Sequence, residues 1–172
     1  MHHPGKKLRA GLAGLMIIAG MAMGMAPGMT AFADGGGLTA KQIVETERVV
    51  KLSDGSEKVE RVPAELVKPG DKIFYTLVYR NEGASAAENI VLTMPVPPQI
   101  TYLENTAVQQ GAEVMFSADG GKSFSPRGAL LVTLDDEVRP AKSEEVTHIR
   151  WVVTEPIAPG SEGRLSFAGI LK

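Results

Sequence analysis

The run from Lys72 to Arg80, K-I-F-Y-T-L-V-Y-R, lies between two turn signals, Lys68-Pro69-Gly70-Asp71 and Asn81-Glu82-Gly83. Its residues Ile73, Tyr75, Leu77 and Tyr79 can share one side only in an extended backbone, because successive strand side chains point to opposite faces. The same grammar recurs along the chain. Short runs rich in β-branched and aromatic residues begin near Ile43, Glu57, Asn89, Ile100, Glu113, Ala129, Val146 and Arg164, each bounded by Gly, Pro, Asn or Asp. Ser53-Asp54-Gly55-Ser56 is a hairpin signal, in which Asp-Gly supplies positive φ angles, and Val62-Pro63 stops the pairing that follows. Pro95, Pro97 and Pro98 make a second proline break, so no stretch keeps a helical period for three turns, and only Pro63–Val67 and Ala84–Asn89 read as single helical turns. About nine short strands at this spacing predict an all-β sandwich or barrel.

Residues 1–33 follow a different grammar. Lys6, Lys7 and Arg9 form a basic start, an uncharged run of Gly, Ala, Leu, Ile and Met spans Ala10–Ala26, and Ala31-Phe32-Ala33 places small residues at a cleavage site. The segment is too rich in glycine for a spanning helix, which wants about 20 strongly apolar residues. The expected organisation is a signal peptide over 1–33 cleaved after Ala33, a Gly-rich lead-in over 34–40, and one domain over 41–172. The expected location is secreted or periplasmic, with no membrane span after cleavage.

Loss of Lys6, Lys7 and Arg9 leaves 15 basic against 20 acidic residues, a formal net charge of −5. That balance argues against nucleic-acid binding. The chain has no cysteine, so disulfides, thiolate metal sites and thiol nucleophiles are all excluded. His148 is the only histidine beyond the signal, which leaves a His-based metal site or a Ser-His-Asp triad without parts. No catalytic, cofactor-binding or metal-ligating residues are assigned, no cofactor is expected, and the chain reads as a non-enzyme.

Four segments carry a family likeness: VKPGDKIFYTLVYRNEG from Val67, AAENIVLTMPVPPQITYLENTA from Ala86, FSADGGKSF from Phe116, and THIRWVVTEPIAPGSEGRLSFAGILK from Thr147. Their order resembles the bacterial surface-repeat family called domain of unknown function eleven, across roughly Ile43–Lys172. The resemblance implies an immunoglobulin-like antiparallel sandwich of about 7–9 strands with a structural or adhesive role in the cell envelope, a protein partner there, and no catalytic residues to carry over. Members of that family often repeat the module many times, and this chain carries it once.

Three local motifs compete with that reading. Ser117-Ala118-Asp119-Gly120-Gly121-Lys122-Ser123-Phe124 matches the Asp box of sialidase-like propellers, with Ser and Phe in place of Thr and Trp. As a hairpin turn, it needs the Asp carboxylate to accept turn N–H groups, the glycines to supply positive φ and the aromatic to pack beneath. Gly121-Lys122-Ser123 echoes a phosphate loop, but Phe116 stands where its first glycine belongs and Pro126 where its helix starts. Asp135-Asp136-Glu137 offers hard oxygen ligands, so the alternative function is a Ca²⁺- or carbohydrate-binding module built from the Asp119 hairpin and the Asp135–Glu137 loop. On the strand near Trp151, Ile149 and Val153 share its face and point to the core, while His148 and Arg150 face solvent. The loops Met94–Gln99 and Glu104–Gly111 and an unpaired sheet edge are the candidate contact surfaces.

Overall fold

The computed structural model describes residues 37–107 and 109–172. The signal peptide expected over 1–33 and the start of the lead-in lie outside these residues. Among the described residues the chain is all-β and antiparallel. It forms β1 (Leu38–Lys51), β2 (Glu57–Pro63), β3 (Lys72–Asn81), β4 (Val91–Pro95), β5 (Ile100–Tyr102), β6 (Ala112–Ser117), β7 (Leu131–Leu134), β8 (Glu137–Pro140), β9 (His148–Val153) and β10 (Glu162–Leu171). One sheet has the order β2-β1-β3-β10-β5, a second β4-β9-β6, and β7 and β8 pair as a separate hairpin. No helix among the described residues is long and apolar enough to cross a membrane.

The two larger sheets face each other across one core. Tyr75, Leu77, Leu165 and Phe167 enter it from the first sheet, and Leu92, Met94, Phe116, Ile149 and Trp151 from the second. Trp151 and Ile149 are wholly buried, as the alternation along β9 requires. Fully burying one such side chain contributes about 2–3 kcal/mol. The indole Nε1–H of Trp151 donates to the Ala107 carbonyl at 3.0 Å, so its one polar atom is satisfied.

Several local expectations change. β1 starts at Leu38, inside the expected lead-in, because residues 38–42 pair with 77–81 of β3 and take their backbone bonds from that neighbour. At the β1–β2 turn only Gly55 has positive φ, at 85°. Gly55 N–H bonds to Leu52 O and Leu52 N–H to Ser56 O, a three-residue loop whose glycine forms a bulge. Neither single helical turn forms. Ala87 instead exchanges both backbone bonds with Ile157, and Ala64 N–H continues the β1 ladder to Val44 O. Among the described residues, helical turns lie instead at Arg127–Ala129 and Ser143–Glu145, as three-residue 3₁₀ segments.

β3 is buried on both faces at its middle. Phe74 and Thr76, opposite the main core, are covered as well as Tyr75 and Leu77. The Arg61 guanidinium lies 3.8 Å and the Lys72 ammonium 4.7 Å from the Phe74 ring centre, so two cations lid an aromatic that alternation alone leaves in water. Lys72 Nζ also sits 3.7 Å from Glu47.

Asn81 closes one end of this strand. Its buried amide nitrogen donates to Ser85 O and Ile157 O, both at 2.8 Å, and its Oδ1 accepts from Gly83 N–H at 2.9 Å. Its backbone N–H and C=O bond to Ser161 and Gly160. One residue thus ties the β3 terminus to both flanking loops, and a carboxylate cannot replace it, since two of its three partners are acceptors. Asn81→Ala should lower the urea-unfolding free energy by about 1–3 kcal/mol, and Asn81→Asp by at least as much. Equal stability of Asn81→Asp and the parent would refute this account of the position.

Candidate functional site

Among the described residues the Asp119 hairpin is the most heavily hydrogen-bonded polar feature, and its chemistry starts with local sequence. Gly120 and Gly121 take φ of 80° and 85°, which only glycine adopts freely, and this turns the backbone N–H groups inward. Asp119 Oδ1 accepts from Lys122 N–H and Ser123 N–H, each at 3.0 Å, and from Ser117 Oγ at 2.7 Å. Oδ2 accepts from Ser123 Oγ at 2.6 Å and from Ser123 N–H at 3.1 Å. Beneath it, buried Ser117 Oγ accepts from Gly121 N–H. These bonds, led by those from Ser123, hold the Asp119 carboxyl well below the usual carboxylate range.

The hairpin leans on β9. Gly120 N–H donates to Thr147 Oγ1 at 3.1 Å, and a side chain at position 121 would touch the His148 ring at 3.4 Å. Phe124, the aromatic of the motif, receives the Arg150 guanidinium over its ring at 3.5 Å, while Arg150 Nε donates to Thr93 Oγ1. Partial burial lowers the His148 pKa, Asp119 opposes the shift and Arg150 adds to it. The sequence therefore separates what the fold unites: the Asp119 hairpin and the His148–Arg150 face form one surface. Both oxygens of the carboxylate are already occupied by donors of the hairpin itself.

Asp135-Asp136-Glu137 lies elsewhere, at the tip of the β7–β8 hairpin. Leu134 pairs with Glu137, and Asp135 and Asp136 are the two loop residues, at φ of 51° and 64°. A two-residue loop with both φ positive is the turn that matches strand twist, and Asp is among the few residues other than Gly that accept it. The acidic pair is thereby explained by backbone conformation. Among the described residues no group of three or more His, Asp and Glu side chains is placed to hold a metal ion.

The two candidate contact loops are both anchored. In Glu104–Gly111, Arg127 forks onto the Glu104 carboxylate, with the nearest contact at 2.7 Å, and Ser143 Oγ donates to it at 2.6 Å. Burial raises the Glu104 pKa, but the bonds from Arg127 and Ser143 outweigh it and leave the group below its ordinary value. Thr106 Oγ1 accepts from Ala168 N–H, taking over the ladder where β5 ends. In Met94–Gln99, Val96 N–H bonds to Thr147 O, and Pro98 O accepts from Lys172 Nζ. A further pair, Arg139 and Glu145 at 2.6 Å, brings the Glu145 carboxyl down to about 2.

What local motif reading misses are two surfaces made by topology. One is an open cleft of about 380 Å³ lined by Arg48, Leu66, Val67, Lys68 and Asp71. The other is the projecting β1–β2 hairpin, where Val49 and Val59 are 62% and 60% exposed. Compared with family models, curated proteins and solved structures, the chain matches none.

Because the folded-state pKa of Asp119 is depressed, its contribution to stability is complete above the ordinary carboxylate range and is lost only as pH falls through the lower folded value. A carboxyl-detected NMR titration should place the Asp119 midpoint well below 3.8, whereas an Asp119 midpoint at 3.8 would contradict the hydrogen-bonded geometry. With its oxygens so occupied, millimolar Ca²⁺ should leave the melting temperature unchanged. A rise reversed by EDTA would instead establish a bound ion.

Proposed function

We propose that the chain is an exported, immunoglobulin-like, non-catalytic interaction module of the bacterial cell envelope, acting by contact along strand edges and exposed sheet faces. The observation that carries this reading is a division of labour among side chains. The polar groups Asp119, Glu104, Glu145 and Asn81 are consumed by bonds inside the fold. Among the groups left facing outward are apolar ones: Val49 and Val59, opposite one another on one hairpin, and Leu131, Leu134 and Val138 on another. Exposed apolar clusters rimmed by charge are what contact surfaces are made of. The two facing antiparallel sheets, the order of the four quoted segments and the three-part pattern of residues 1–33 support the same reading.

Export is tested directly. When the full chain is expressed in a bacterium, the product should accumulate outside the cytoplasm with Asp34 as its first residue, as read by intact mass and N-terminal sequencing. Retention of residues 1–33 on a cytoplasmic product would overturn the exported reading.

A further inference from the structure

We propose that the edge of β2, which has no neighbouring strand among the described residues, is an isologous contact, on which a second copy of this chain pairs β2 to β2 in antiparallel register centred on Val59. The proposal deepens the reading of the chain as a contact module by naming the partner of one edge. β2 ends its sheet, with seven residues from Glu57 to Pro63. The other edges of the two larger sheets are blunted. β5 has three residues and lies against the Ser143–Glu145 turn, β4 runs into Pro95, and β6 turns back to pair Phe116 with Ser125.

The backbone fixes which groups are free. Ala64 N–H bonds to Val44 O and Leu52 N–H to Ser56 O. The ladder between those ends therefore turns Lys58, Glu60 and Val62 toward β1, and aims the N–H and C=O groups of Glu57, Val59 and Arg61 outward. Pro63 has no N–H and ends the usable edge.

Charged residues on an edge ordinarily deter pairing, but here the charges read E-K-V-E-R, a sequence that complements its own reverse. In the register centred on Val59, Glu57 stands opposite Arg61 of the second copy and Lys58 opposite Glu60 of the second copy, each twice by symmetry. The neighbouring registers set Lys58 against Lys58 of the second copy, or Glu60 against Glu60 of the second copy. Like charges directly across a strand pair destabilise it. Only the central register sets Lys58 opposite Glu60 of the second copy, twice by symmetry, while forming about six backbone bonds; Arg61, whose guanidinium lies over Phe74, stands across from Glu57 of the second copy without being counted as an ion pair.

The exposed apolar residues fit the same arrangement. Val49 and Val59 are opposite one another across the β1–β2 pair and share a face. Joining two edges lines up Val49 and Val59 with Val59 and Val49 of the second copy, a continuous apolar row across the two-fold axis. A single-strand interface falls below about 1,200 Å², so the association is weak and concentration-dependent.

Sedimentation velocity of the purified protein over a wide concentration range should show a monomer–dimer equilibrium. Lys58 and Glu60 contact each other at 3.0 Å on the surface, so both can be exchanged without touching the core. Glu60→Lys should raise the dimer dissociation constant by about tenfold or more. The double exchange Lys58→Glu with Glu60→Lys, which restores unlike charges across the axis, should return the constant to near its original value with the melting temperature unchanged. A parent protein monomeric at every concentration overturns the proposal. So does a dimer indifferent to Glu60→Lys, or a double exchange that fails to restore it. The export assay reads a separate property, so failure of this contact and failure of the exported reading are told apart.

Discussion

The fold depends on one stacked pair. Tyr75 on β3 and Phe167 on β10 lie directly opposite in the register of those strands, with ring centres 4.9 Å apart and planes within 11°. From there the contact passes to Tyr102 on β5 at 6.4 Å, and from Tyr102 across the core to Phe116 on β6 at 5.3 Å. Four rings thus join the centre of the larger sheet to an edge strand of the smaller one. Offset and tilted aromatic contacts add about 0.5–1.5 kcal/mol each beyond buried area, and they are directional. A slip of β3 against β10 by one residue would turn Phe167 out of the core and break the chain at its first link. Close approach is part of the same constraint. A Cβ at Gly169 would collide with Ile100 Cγ2, so β5 reaches β10 and sets Tyr102 in place because position 169 has no side chain.

What the sequence makes legible is whatever one segment decides alone. The alternation of Lys72–Arg80 and of the strand around Trp151 depends only on successive residues pointing to opposite faces, and Ile149 and Trp151 are buried accordingly. The turn at Lys68–Asp71 has its Gly70 at φ 94°, as a Pro-Gly turn demands. Partner-dependent features are less legible. Leu38–Gln42 is strand because β3 extends beside it, and Phe74 is covered because Arg61 arrives from β2. β8 hides in an acidic cluster whose two left-handed residues make a hairpin turn without glycine.

The same distinction separates polar motifs that hold the scaffold from surfaces open to a partner. Asp119, Asp135 and Asp136 attract attention in sequence because acids cluster in binding sites, and each serves the local backbone: one collects turn N–H groups, the others accept positive φ. Glu104 and Asn81 likewise bind loops to strands. Such bonds make the hairpins and loops stiff, and stiffness is what the proposed contact module needs in order to present a surface without an ordering cost on binding.

The unequal sizes of the sheets decide where such a surface lies. The three-stranded sheet covers β3, β10 and β5, whose inward residues Leu77, Leu165, Phe167 and Tyr102 are buried, but it leaves β1 and β2 overhanging. On the inward side of β1, Gln42, Val44, Arg48 and Val50 stay exposed, while Thr46 is buried and Leu38 and Ala40 pack on the core, so the overhang is β2 with the adjoining half of β1. The overhang therefore has two accessible faces and one free backbone edge, a geometry that no buried cavity is needed to exploit. An unprotected overhang of this kind would be an aggregation hazard if its edge were uniformly apolar. The alternating charges of β2 remove that hazard toward strands in general and leave unlike charges facing each other only toward a strand of matching pattern. In the proposed pairing, the selectivity of this edge thus comes from the same residues that deter pairing with strands in general.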